Sequence, residues 1–179
     1  LRELPAHEVD YGRLYQEFLP CARLAFSRFS QGKESLQTLY GELESFLQEN
    51  ESWLTSYASF QVLKQREDGK PWWNWSERSK RADSSLLSEI SGHEDFAFHV
   101  FLQYVFWGQW KSLRAYANGR NVSLLGDLPI YAAPDSSEVW QRPDLFQVSP
   151  DSSFSHVAGV PPDYFNENGQ YWGNPLYDW

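Results

Sequence analysis

Apolar residues recur at three- and four-residue steps over two long stretches, and a chain with that spacing must pack helices against something. In "SLQTLYGELESFLQEN" the positions Leu36, Leu39, Tyr40, Leu43, Phe46 and Leu47 fall on one stripe. Asn50 then offers an N-cap for a further helix, "ESWLTSYASFQVLKQ", whose Trp53, Leu54, Tyr57 and Phe60 continue the apolar face. The region from about Val9 to Lys64 therefore reads as helical. The second stretch, "HEDFAFHVFLQYVFWGQWKSLRAYANGRN", places Phe98, Phe101, Leu102, Val105, Trp110 and Leu113 for burial against more than one neighbour, with Asn118-Gly119 as its stop.

Between the two, Asp68-Gly69 and Pro71 break the period, and Trp72, Trp73 and Trp75 follow together. Core packing is expected for one or two of these indoles. Aromatic content is the outlier of the composition: 17%, with nine Trp among 179 residues. An indole needs an N–H partner when buried, so Leu is the commoner core choice, and such a surplus points to a surface that stacks on flat ligands. A formal charge of −9 argues against a nucleic-acid partner, which needs clustered Lys and Arg. No apolar run approaches the roughly 20 residues that span a bilayer, so a soluble protein without a membrane partner is expected. Cys21, among Leu19, Pro20, Ala22 and Leu24, reads as a buried packing thiol, and His93 and His99 are too isolated to suggest a metal site.

Past residue 120 the character changes. Val122, Leu124 and Leu125 form a short apolar run before Gly126-Asp127-Leu128-Pro129. A long helix, a turn and a buried strand form the alternation of a parallel α/β architecture, which would put Asp127 at the carboxyl end of a strand, where barrel enzymes collect substrate-handling groups. The alternative is a turn or helix-capping carboxylate. Asp135, before Ser136 and Ser137, reads as the N-cap of the short helix "SSEVWQ".

The final stretch, "VAGVPPDYFNENGQYWGNPLYDW", is built differently again. Pro161 and Pro162 stiffen the backbone so that Asp163, Tyr164 and Phe165 stand out as a rigid tip. Gly169 and Gly173 permit tight turns that bring Gln170, Trp172 and Asn174 close together. Ring faces beside amide and carboxylate groups suit a pyranose, with its apolar face and rim of hydroxyls.

Together "GDLPIYAAPDSSEVW", "VAGVPPDYFNENGQYWGNPLYDW", "KPWWNW" and "FLQYVFWGQWKSLRAYAN" resemble the 4-alpha-glucanotransferase family, the amylomaltases or disproportionating enzymes of glycoside hydrolase family 77. The resemblance runs over essentially the whole chain in the same order. It implies an α/β fold, a portion of an alpha-amylase-like (β/α)8 TIM barrel with a mainly helical insertion. Residues 1–120 would be the helical barrel-associated region, and 121–179 a barrel strand with an active-site Asp and a glucan-binding lid.

The implied activity moves 1,4-alpha-glucan segments from maltooligosaccharides, starch or glycogen to glucose or another glucan by a retaining mechanism, with no cofactor and no metal. By match to the family's motifs, Asp127 falls on an early active-site aspartate counted among the catalytic groups. Tyr164 and Phe165 fall on the tip of a mobile lid, and Gln170 and Trp172 on glucan-contacting positions. Asp163 and Asn174 are grouped with these as substrate-binding candidates.

Ala132-Ala133-Pro134 depart slightly from the family's pattern. More seriously, the motifs for the nucleophile, the acid/base and the third carboxylate are not in this sequence, so an internal portion of the enzyme, inactive alone, is expected. Two alternatives remain: a non-catalytic maltodextrin-binding module, and a structural piece that pairs with a remainder. The implied location is the cytoplasm, or the plastid for a plant protein.

Overall fold

The computed structural model describes residues 7–179. In chain order these form α1 (Tyr11–Gln31), α2 (Glu34–Tyr40), α3 (Leu43–Arg66), α4 (Glu77–Lys80), α5 (Ser84–Ser91), α6 (Glu94–Asn118), α7 (Ser137–Gln141) and two strands, β1 (Val157–Val160) and β2 (Gln170–Pro175). They divide into two compact units, one of residues up to Asn50 with Phe98–Leu124, the other of Glu51–Ala97 with Leu125–Trp179.

The first unit is closed by aromatic rings. Helix α1 starts at Asp10, whose carboxylate accepts from Arg13 N at 2.9 Å, and it buries Ala22, Phe26 and Phe29. Phe26 and Phe29 meet Phe98 and Phe101 of α6 at centroid separations of 5.0–5.7 Å. Cys21 precedes that stripe by one residue, about 100° around the helix, and is exposed rather than a packing thiol.

The helical stripe from Leu36 onward is interrupted where sequence periodicity predicts continuity. Gly41 takes φ +93° and ends α2, and the buried Tyr104 donates its hydroxyl to the Gly41 carbonyl at 2.6 Å. Burial pushes the Tyr104 phenol up from its ordinary value, with Glu42 nearby adding to the shift. Conversely, α3 runs straight through Asn50, so no new helix starts there. Phe46, Asn50, Leu54, Ala58 and Val62 form one four-residue row, so the apolar stripe continues past it, and its amide donates to the Phe46 carbonyl at 2.8 Å.

The second unit packs around Phe60, Val62, Leu63, Trp72, Trp75, Leu86, Ile90, Val139, Trp140 and Phe146. Trp72 and Trp75 are buried as core, while Trp73 packs against its rim. Each buried indole N–H finds a backbone acceptor: Trp72 Nε1 on Pro134 O at 2.9 Å, Trp75 Nε1 on Lys70 O at 2.7 Å, and Trp140 Nε1 on Ser79 O at 2.8 Å. Asp135 is not the cap of α7. Ser136 is, and the Asp135 carboxylate instead accepts from Lys64 Nζ and from Trp72 N, the latter at 3.2 Å.

Strands β1 and β2 pair antiparallel and form the one sheet among the described residues. The strand expected at Val122–Leu125 is absent: these residues join no ladder, and Leu125 is fully exposed. A parallel strand exists only through hydrogen bonds to neighbouring strands, and no described residue supplies them.

Gly108 of α6 lies directly under Tyr40, and a Cβ there would collide with Tyr40 Cβ and Cγ. Helix propensity alone would make Gly108→Ala stabilising by about 1 kcal/mol. Overpacking against Tyr40 is predicted to win and destabilise by about 1–3 kcal/mol in urea denaturation. A raised midpoint would contradict the packing.

Candidate functional site

The hairpin of β1 and β2 is shaped by close approach of its own backbone. Val160 pairs with Gln170 and Gly159 with Tyr171, with an irregularity before Gly159. A Cβ at Gly159 would lie 2.7 Å from the Gln170 carbonyl oxygen. Gly169 takes φ +68°, and a Cβ there would lie 2.5 Å from Val160 O. Pro161 and Pro162 follow β1 and donate no hydrogen bond, so the chain leaves the ladder at this point.

The tip is ordered by one carboxylate. Asp163 Oδ1 accepts from Phe165 N at 2.9 Å and Asn166 N at 2.7 Å, and Asp163 N donates to Asn166 O at 3.0 Å. This is an Asx turn, in which a side-chain acceptor replaces a backbone one. Asn166 repeats the device with its Oδ1 on Asn168 N at 3.0 Å. The turn holds up Tyr164 and Phe165, which are 96% and 93% exposed yet meet edge to face with centroids 5.6 Å apart.

Along β2 the side chains of Gln170, Trp172 and Asn174 come at alternate positions. Gln170 Oε1 accepts from Trp172 Nε1 at 2.9 Å, leaving the indole half exposed with its N–H oriented. Tyr131 abuts Trp172 at 5.9 Å and 72° between rings, and Asn174 Nδ2 donates to Ala132 O at 2.9 Å. The structure thus brings Gln170, Trp172 and Asn174 together beside Tyr131 and Ala132. Tyr164 and Phe165 stand at the far end of the same hairpin.

Asp127 is exposed on an irregular segment and, among the described residues, takes part in no side-chain hydrogen bond or ion pair. Asp178 is also exposed, with its main-chain N bonded to Leu145 O at 2.9 Å. Asp163 is engaged by its own turn. Among the described residues no group of three or more His, Cys, Asp or Glu is placed to hold a metal ion.

Two aromatics that sequence reasoning passed over belong to this region. Tyr131 backs Trp172, and Tyr177 stacks on Phe146 at 5.1 Å while donating its hydroxyl to Ile130 O at 3.0 Å. With Leu128, Ile130 and Trp179 they line an open cavity of about 640 Å³. Their placement inside the two long motifs was the available signal, since Tyr131 is the one aromatic of "PIYAAP" and Tyr177 stands with Trp179 in "NPLYDW".

A family model described as 4-alpha-glucanotransferase matches residues 1–179. The 4-alpha-glucanotransferase of Aquifex aeolicus is 39% identical over 183 residues, covering 100% of this chain and 36% of the relative. That of Thermus thermophilus is 40% identical over 178 residues, covering 98% and 35%. Among solved structures, the amylomaltase from Streptococcus agalactiae in complex with acarbose superposes with a TM-score of 0.84 at 35% identity, over 96% of this chain and 34% of that one. The chain therefore spans about a third of the length of the relatives it matches. On the match of the family model over all 179 residues and on these identities, the chain belongs to the 4-alpha-glucanotransferase family.

Proposed function

We propose that the full-length polypeptide bearing this chain transfers 1,4-alpha-glucan segments to glucose or to another glucan, and that these residues supply the lid and one wall of its active site. The observation that carries the reading is the hairpin: two exposed aromatics on a carboxylate-ordered tip, followed by an indole whose N–H is held by Gln170. A half-exposed indole beside an amide is a stacking face with an edge donor, as a glucose ring requires.

The proposed chemistry is retaining. It needs two carboxyl groups about 5–5.5 Å apart, one forming a glycosyl-enzyme intermediate and the other protonating the leaving oxygen. We place both outside these residues, in a (β/α)8 barrel of the complete protein that would supply the neighbours missing from Val122–Leu125. Asp127 then lies at the mouth and shapes the site of the cleaved glucose. Tyr164 and Phe165 close over the glucan and exclude water, so that a sugar hydroxyl rather than water meets the intermediate.

No helix among the described residues is long and apolar enough to cross a membrane. A cytoplasmic or plastid setting fits this reading, and one relative is the chloroplastic/amyloplastic enzyme of Solanum tuberosum.

The test is maltotriose disproportionation by the full-length polypeptide. Asp127→Asn is expected to lower transfer by about 100-fold, the scale of a misplaced reacting group; a wild-type rate would refute its assignment. Trp172→Ala is expected to raise KM by about 10-fold through loss of the stacking face, and an unchanged KM would make the indole a packing residue only. Asp163→Ala should raise the ratio of hydrolysis to transfer by disordering the tip, whereas Asp163→Asn keeps the Oδ1 acceptor and should stay near wild type. Equal ratios in both variants would refute the lid's role in excluding water. Saturable maltodextrin binding without any turnover in the wild type would favour a binding module instead.

A further inference from the structure

The segment after Asp127 has an unusual set of anchors. Among the described residues, the main chain from 123 to 135 makes no hydrogen bond to other main chain. Its carbonyls at three alternate positions are instead met by side-chain donors: Ile130 O by Tyr177 OH at 3.0 Å, Ala132 O by Asn174 Nδ2 at 2.9 Å and Pro134 O by Trp72 Nε1 at 2.9 Å. The chain bends at Ile130, Tyr131 and Pro134, so no strand can pair along it, and side-chain donors rather than a ladder hold these three carbonyls.

Two of the three donors come from β2 and its continuation, the same strand that carries Trp172. We infer that Asn174 and Tyr177 are positioning residues that lock the Asp127 segment to the glucan-stacking strand, rather than groups that touch the sugar. The inference rests on the reading of Asp127 as an active-site carboxylate.

The connection from the anchor to Asp127 is short and stiff. Only Leu128 and Pro129 intervene before Ile130. Pro129 has a fixed φ, and Leu128, preceding it, is confined to extended conformations. Fixing the Ile130 carbonyl therefore restricts where Asp127 stands. The amide NH2 of Asn174 is directed at Ala132 O, and the Tyr131 ring between the two anchored carbonyls abuts Trp172. A shift of this segment would thus move the carboxylate relative to the stacking indole.

Tyr177→Phe gives a clean test, because the ring keeps its stack on Phe146 and only the hydroxyl is lost. In the full-length polypeptide, maltotriose disproportionation should lose about 5- to 10-fold in kcat, the effect of one hydrogen bond that orients a reacting group. KM and the thermal midpoint should stay near wild type. Asn174→Asp, which replaces the donor by an acceptor facing a carbonyl, should show the same pattern.

The decisive readout is a double-mutant cycle with Asp127→Asn, measured on its residual activity. If Tyr177 acts through Asp127, the Tyr177→Phe loss vanishes in the Asp127→Asn background. A loss of the same size in both backgrounds, or a wild-type kcat for Tyr177→Phe, overturns the inference while leaving Asp127 in place. A wild-type rate for Asp127→Asn alone would overturn the underlying reading, and this inference with it.

Discussion

A buried indole must find an acceptor for its N–H, and in the second unit this requirement sets the path of chain that no sheet or helix holds. Trp72, Trp75 and Trp140 are all core residues, and each donates to the carbonyl of a non-helical or helix-terminal residue, Pro134, Lys70 and Ser79. An unmet indole N–H at such depth would cost about 1–3 kcal/mol, so the loops that present those carbonyls are selected by the core. Asp135 reinforces the arrangement by joining Lys64 of α3 to the main chain at Trp72. The segment beyond Asp127 is thereby tied at one end to the tryptophan core and, nearer Asp127, to β2.

Glycine and carboxylate chemistry do for the hairpin what the indoles do for the core. Gly159 and Gly169 let two backbones approach more closely than a Cβ would allow, and the Asp163 turn keeps Tyr164 and Phe165 presented without burying them. Large exposed rings are unfavourable in water unless something comes to cover them. A tip held by its own hydrogen bonds loses little conformational freedom on meeting a ligand, which is the advantage of ordering it beforehand.

The helices and the hairpin tip were legible because their determinants are local: the three- and four-residue spacing of Phe98 and Phe101, the stop at Asn118-Gly119, and the sequence Pro-Pro-Asp ahead of two aromatics. What failed depended on partners far along the chain. Asn50 has the chemistry of a cap, yet its place in the row of Phe46 and Leu54 keeps it inside α3. Asp135 also looks like a cap until Lys64, 71 residues away, claims it. Val122–Leu125 has strand composition but, among the described residues, no strand beside it. Likewise nothing local marks Tyr177 as the hydrogen-bond donor to Ile130; that pairing exists only once β2 folds back.

The central claim is that the face of β2 and the hairpin tip together seat an alpha-glucan. A crystal structure of the full-length polypeptide with bound acarbose tests it most directly. The account predicts a sugar ring within about 4 Å of the Trp172 indole face, with Tyr164 and Phe165 in contact with the ligand. Acarbose bound elsewhere, with all three aromatics untouched, would contradict it.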